Sequence, residues 1–237
     1  MPQISEEIHA ILFDKDGTLF DFYKTWGPVT EEAALLVARG DPAKARHILK
    51  ESGKDPETGK YIPGSPIASG SNREIADLWT SLAGRTDNDV VYADVHALFL
   101  KRQATAATPV TDLDVLFTRL RARGLALGIA TMDSEESARA SMARFGVHGS
   151  LDFICGFDTG HGVKPGGGMV EAFARHVNLR PSMIAVVGDS PHDMAMARAG
   201  GAGKAVGVLT GVSLREILMD HGADVVVESI VELESVL

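Results

Sequence analysis

Asp14 and Asp16 stand two residues apart, directly after the apolar run Ile8-His9-Ala10-Ile11-Leu12-Phe13. Residues i and i+2 of an extended chain project to one side, so both carboxyls can face one small site. Gly17 permits the sharp exit that such a packed turn needs. Three later segments carry a matching chemistry. Thr131 closes the apolar run Leu125–Thr131 and is followed by Met132. Lys164 lies in Gly162-Val163-Lys164-Pro165. Asp189 and Asp193 belong to Gly188-Asp189-Ser190-Pro191-His192-Asp193. Such a set suits a phosphate monoester and a hard divalent cation. Magnesium takes oxygen ligands and keeps some waters, which fits two or three carboxylates or carbonyls. An ammonium and a hydroxyl can hold the negative phosphoryl group. One carboxylate can attack phosphorus to give an aspartyl phosphate. A second can protonate the leaving oxygen and then take a proton from water.

These residues need elements that bring them to one place. The spacing predicts strands at Ile8–Phe13, Leu125–Thr131, Leu151–Cys155, Met183–Val187, Ala205–Val208 and Asp224–Val227. Helical patterns over Asp112–Arg123, Ser134–Phe145, Gly168–Val177, Pro191–Ala199 and Leu214–Met219 separate the later strands. The alternation predicts an α/β fold, a Rossmann-like parallel sheet with helices on both faces. Ligands of such sheets bind beyond the carboxyl ends of the strands, where the candidate residues lie. Between Phe20 and Thr108 the alternation stops. Helical patterns fall at Val29–Arg39, Ala43–Glu51, Glu74–Leu82 and Val90–Arg102, around a Gly-, Pro- and Ser-rich loop from Gly53 to Asn72. We therefore expect an α/β core domain of residues 1–20 and 108–237 with an α-helical cap domain, 21–107, inserted after the first strand.

Composition limits the classes. The 237 residues carry 23 Lys and Arg against 32 Asp and Glu, a formal charge of −9. That balance argues against a nucleic-acid-binding surface, which is met by Lys and Arg. One cysteine, Cys155, excludes a disulfide framework and a Cys-only zinc site. Nothing resembles a signal peptide or an uninterrupted apolar span of ~18 residues, so the expectation is a soluble cytoplasmic protein with no membrane partner.

The motifs together resemble the haloacid dehalogenase-like hydrolases. Asp14-Lys15-Asp16-Gly17-Thr18-Leu19 matches the first motif of that family, Thr131 the second-motif hydroxyl, Lys164 the third-motif lysine, and Gly188 to Asp193 the Gly-Asp-x-x-x-Asp of the fourth. An insertion after the first strand is similar to the family's type-one helical cap. The resemblance implies that Asp14 is the nucleophile and a magnesium ligand. It implies that Asp16 is the general acid and base, with its backbone carbonyl on the metal. Thr131 and Lys164 would hold the phosphoryl group, Asp189 would be the third protein ligand, and Asp193 would ligate the metal or stand beside it. Many relatives carry Asn where this chain has Met132, so only the backbone amide there can help. Gly166-Gly167-Gly168 replaces a frequent second proline.

The motif set is similar to phosphoglycolate phosphatases, which implies a small phosphate ester as partner and phosphoglycolate as the substrate to consider. Arg73, at the end of the segment Lys60–Arg73, is the candidate to hold a carboxylate on the leaving group, because its fork suits one. The alternatives are a phosphosugar mutase resembling β-phosphoglucomutase and an idle binding protein that keeps the fold. The acidic pair argues against the latter. Lys15 is similar to the lysine of ion-pumping ATPases, but those carry Thr at the place of Asp16. By strand alternation it points away from Asp14 and receives no catalytic role. Gly200–Ala205 imitates a P-loop without its Ser/Thr and reads as a helix end before a strand. His161 and His192 flank the site in sequence, and Cys155 reads as core. The apolar stripe in Val29–Val37 reads as helix core or a dimer face, leaving monomer and homodimer both open.

Overall fold

The computed structural model describes residues 7–237. Six strands, β1 (Ala10–Phe13), β2 (Ala126–Ala130), β3 (Phe153–Cys155), β4 (Ile184–Gly188), β5 (Lys204–Val208) and β6 (Val225–Val227), form one sheet in the order β3-β2-β1-β4-β5-β6. Every pairing is parallel. β1 is central, with Phe13 level with Ile129 of β2 and Val187 of β4. The chain runs from β1 toward β3, then returns to place β4 on the other side of β1. That reversal opens a crevice above the carboxyl ends of β1 and β4.

Between β1 and β2 the chain forms α1 (Phe22–Val37), α2 (Pro42–Glu51), the short α3 (Pro66–Ser69), α4 (Asn72–Leu82) and α5 (Asn88–Ala106). The remaining helices, α6 (Leu113–Ala122), α7 (Glu135–Arg144), α8 (Gly168–His176), α9 (Pro191–Ala199) and α10 (Arg215–Asp220), alternate with strands. Alternate residues of β1 serve opposite faces. Ile11 and Phe13 pack with Leu116, Phe117 and Leu120 of α6 and Met142 of α7. Ala10 and Leu12 pack with Phe173 of α8 and Met194 of α9. Both faces are dry, so the strand is apolar throughout. Ile11, Leu12 and Phe13 are fully buried, and each such burial contributes about 1.5–3 kcal/mol.

The helical segment has its own apolar cluster, including Phe22, Trp26, Val29, Ala33 and Val37 of α1 with Trp79, Val91, Val95 and Phe99. The stripe over Val29–Val37 thus supplies core to that segment. α1 begins seven residues ahead of the expected Val29, capped by Asp21. Gly27-Pro28 reads as a break, yet Phe22 and Trp26 both feed the cluster and hold the helix through it. α4 begins at Asn72 rather than Glu74, because Ser71 and Glu74 form a reciprocal capping box. The expected long loop is folded on itself. The Tyr61 hydroxyl meets Thr30 Oγ1 at 2.7 Å, Ile62 N–H donates to Gly53 O (2.8 Å), and a Cβ at Gly53 would overlap Ser65. The two joins of the segment lie side by side: Asp21 N–H donates to Thr108 O (2.9 Å), and Phe20 bridges Pro109. Among the described residues no helix is long and apolar enough to cross a membrane.

Candidate active site

The end of β1 sets the first carboxylate. Asp14 N–H still donates to Val187 O of β4 (2.8 Å), so its side chain leaves from the sheet edge itself. The chain then turns tightly. Leu19 and Phe20 N–H both donate to Lys15 O, and Gly17 holds a φ of 92°, a conformation that L side chains avoid. β4 ends beside it and delivers Asp189, and Ser190 caps α9 through a reciprocal capping box with Asp193. Glycines make room for these acids. A Cβ at Gly17 would lie 2.6 Å from the Asp189 carboxyl, and one at Gly211 or Gly188 would overlap Asp189 or Asp193.

Lys164 arrives from the loop after β3 and lies between two of the acids. Its Nζ is 2.6 Å from Asp14 Oδ1 and 2.6 Å from Asp193 Oδ1. Asp193 Oδ2 accepts from Ser190 N–H (3.0 Å) and Ser190 Oγ (2.6 Å), so both its oxygens are occupied. Asp189 Oδ2 accepts from Val212 N–H (3.0 Å). Asp14 Oδ2 is buried with no hydrogen-bond partner. Carboxylate oxygens of Asp14, Asp189 and Asp193 all lie within 4.8 Å of one another. Burial pushes the Asp14 carboxyl up to about 7; Lys164 opposes this, while the charges of Asp193 and Asp16 reinforce it. Asp189 is raised well above the usual carboxylate range, by burial first and then by Asp14 and Asp193. Burial works against the charge on Lys164, but Asp14 and Asp193 outweigh it and hold the ammonium above its ordinary range. An acid cluster with one orphaned buried oxygen is the donor set of a hard cation, which would relieve the crowding of like charges.

A second buried lysine, Lys15, follows Asp14 directly in the chain. The Lys15 side chain is fully buried, and its Nζ is 2.5 Å from Asp16 Oδ2 and 3.3 Å from Asp133 Oδ2. Burial raises the Asp16 carboxyl, Lys15 opposes, and Asp133 adds to the rise. Asp133 Oδ1 accepts from Ser134 N–H (2.9 Å) and from Asn72 Nδ2 (2.8 Å). Asn72 is the first residue of α4, so this bond joins the helical segment to the sheet edge.

Asp14, Asp16, Thr131, Met132, Lys164, Asp189 and Asp193 all line one cavity of about 70 Å³. Thr131 Oγ1 accepts from Asp133 N–H (3.1 Å) at the start of the turn into α7. The opposite wall comes from the helical segment, with Phe22, Trp26, Ile67, Ile75 and Phe99 beside Thr30 and Asn72. His192 also lines the cavity; His161 instead lies 5.9 Å from the Phe153 ring. Cys155 is buried at the end of β3, where burial pushes its thiol up to about 12. Arg73, expected to hold a carboxylate of the leaving group, is not among the residues that line the cavity. Its guanidinium is held by Asp77 (3.0 Å) and Asp89 (2.8 Å) and lies over the Tyr92 ring, all within the helical segment. Lys15, Asp133 and Asn72 escape a motif reading. The signal available was the Ser71-x-x-Glu74 cap, which places Asn72 at a helix start.

A model of the haloacid dehalogenase-like hydrolase family matches residues 8–201. The chain is 29% identical over 232 residues to a phosphoglycolate phosphatase of Chromobacterium violaceum, covering 96% of each. It is 32% identical over 196 residues to a phosphoglycolate phosphatase of Rhodospirillum rubrum, covering 81% of this chain and 76% of that one. Among solved structures, it superposes on a predicted phosphoglycolate phosphatase from Haemophilus somnus with a TM-score of 0.76 at 16% identity, covering 98% of each. It also superposes on a β-phosphoglucomutase from Clostridium difficile with a TM-score of 0.68 at 16% identity, covering 97% of this chain and 95% of that one. These structural likenesses concern the fold.

Proposed function

The chain belongs to the haloacid dehalogenase-like hydrolase family, and from that premise we propose that it hydrolyses a small-molecule phosphate monoester through an aspartyl phosphate. The single observation that carries this reading is the convergence of Asp14, Asp16, Lys164 and Asp189 on one small cavity. In the first step Asp14 attacks phosphorus and the bond to the leaving oxygen breaks, while Asp16 gives that oxygen its proton. In the second, Asp16 takes a proton from water, the water oxygen attacks phosphorus, and inorganic phosphate leaves Asp14 restored. Lys164, Thr131 and the Met132 backbone N–H hold the phosphoryl oxygens, and Lys164 also fixes the nucleophile.

Asp14, Asp189 and the Asp16 backbone carbonyl are the groups that would hold magnesium. Asp193 stands beside them, because both its oxygens already accept hydrogen bonds. When bound, magnesium neutralises the charge shared by the phosphoryl group and the acids. Residues 21–107 act as a type-one helical cap over a core of 1–20 and 108–237, and the cap excludes water from the chemistry. Phosphoglycolate is the first substrate to test, since two relatives similar along most of this chain bear its name.

The test is a panel of phosphate esters, including phosphoglycolate and β-glucose 1-phosphate, with and without magnesium, beside Asp14→Asn. Metal-dependent phosphate release that the substitution abolishes is the expected result. Isomerised sugar phosphate with little release would make the protein a mutase, and no turnover of any ester would make it a binding protein.

A further inference from the structure

We propose that Lys15 and Asp133 position the Asp16 carboxyl for proton transfer, and that Asn72 makes this position depend on the seating of the helical segment. The inference rests on reading Asp16 as the general acid and base. Four side chains are linked in series: Asn72 Nδ2 to Asp133 Oδ1 at 2.8 Å, Asp133 Oδ2 to Lys15 Nζ at 3.3 Å, and Lys15 Nζ to Asp16 Oδ2 at 2.5 Å. The two middle members, Asp133 and Lys15, have further anchors. Ser134 N–H fixes Asp133 from the start of α7, and the rings of Phe20 and Trp26 lie 5.9 and 5.8 Å from the Lys15 ammonium. Trp26 is itself a cavity wall supplied by α1. The ammonium therefore has one preferred place, and the carboxyl it grips inherits that place.

Stability does not account for a lysine at this spot. Taking an ammonium wholly out of water is costly, and apolar replacements of buried ion pairs are often neutral or stabilising. Geometry does account for it. A general acid must stay within hydrogen-bond reach of a leaving oxygen, and a carboxyl without a second hold has rotamers that miss. Lys15 does not line the cavity, so it is a positioning residue, acting through Asp16. Asn72, with the Trp26 ring beside Lys15, ties this series to the helical segment, which makes a seated segment part of the acid's alignment.

The test compares Lys15→Met, Asn72→Ala and Asp16→Asn in the full chain with magnesium. The substrates are the alkyl phosphate that the wild type hydrolyses in the panel and p-nitrophenyl phosphate, whose leaving group needs no proton. Lys15→Met should lower kcat on the alkyl ester on the order of 100-fold, with KM changed less than about threefold. With the aryl ester, the initial burst of nitrophenol should survive while later turnover slows, because Asp14 is untouched and Asp16 is misplaced for activating water. Asn72→Ala should lower kcat about tenfold in the same pattern. A folded Lys15→Met with wild-type kcat, or one that loses the burst, overturns the proposal. If Lys15→Met does not fold, Asn72→Ala decides, since it leaves all three core side chains: a fall in kcat at constant KM supports the proposal and an unchanged kcat overturns it. If Asp16→Asn keeps full turnover, the reading of Asp16 itself fails. If it collapses turnover while Lys15→Met does not, only the present inference falls.

Discussion

Two buried lysines, Lys15 and Lys164, each lie between two aspartates. Lys164 bridges Asp14 and Asp193 at 2.6 Å each, on the floor of the cavity and entirely within the α/β part of the molecule. Lys15 bridges Asp16 and Asp133 at 2.5 and 3.3 Å, and its aspartate is tied to the helical segment through Asn72. The composition of the two groups is the same; their support is not. The first is held by strand ends and a helix cap, which do not depend on the helical segment. The second is complete only with that segment in place. On the proposed roles, Asp14 is thus the fixed nucleophile and Asp16 the acid whose alignment is conditional.

Substitutions can break or sharpen this contrast. The largest effect belongs to the fixed side. Asp14→Asn should lower kcat by more than about 10⁴-fold, measured by phosphate release under saturating ester. Lys164→Met should follow at on the order of 10³-fold, with phosphorylation impaired so that no burst is seen with an aryl ester. A retained burst there would make the two lysines equivalent and remove the contrast.

Next comes acidity. In the metal-free protein burial lifts Asp14 from 3.8 to about 7. Over that interval the folded state keeps a proton that the unfolded chain has released. The stabilisation from that proton is present near pH 4 and lost as pH rises through about 7. Thermal melts in EDTA should therefore show Tm falling with pH more steeply for the wild type than for Asp14→Asn, by roughly a few degrees. Magnesium should flatten the wild-type slope, and identical slopes in EDTA would remove the acid cluster as its source. The smallest effect is expected at Arg73, whose partners are Asp77 and Asp89. Arg73→Ala should leave kcat/KM and the ranking of esters within about twofold. A selective loss on carboxylate-bearing esters would restore it as a specificity residue.

The strands were readable because both faces of the sheet are covered, so Ile11-Leu12-Phe13 and Ile184-Ala185-Val186-Val187 are apolar without interruption. Residues at their ends were readable too, because sheet order brings strand ends together whatever lies between. The start of α1 was not readable: Gly27-Pro28 breaks helices in isolation, and only the packing of Phe22 and Trp26 overrides it. For Arg73, sequence shows the residue that is offered but not the neighbours, here Asp77 and Asp89, that hold it on α4. Lys15 shows the limit of strand alternation. The rule assigned it no role at the site, but the chain turns tightly after Lys15, and its ammonium meets Asp16 and Asp133. Its partner Asp133 and the Asn72 contact lie across separations that no local pattern encodes.

The paired joins of the helical segment have a consequence for exchange of parts. Phe20, Asp21, Thr108 and Pro109 form a short ladder, with Val110 N–H on Leu19 O (3.0 Å) below it. The insertion therefore leaves and re-enters the sheet layer through a single seam, already closed by backbone hydrogen bonds. A graft cut at that seam, swapping the segment for that of a relative, would leave the β1–β2 register and the Lys164 group unaltered. The grafted piece would have to bring its own equivalent of Asn72, or the recipient's Asp133 would lose its partner across the seam.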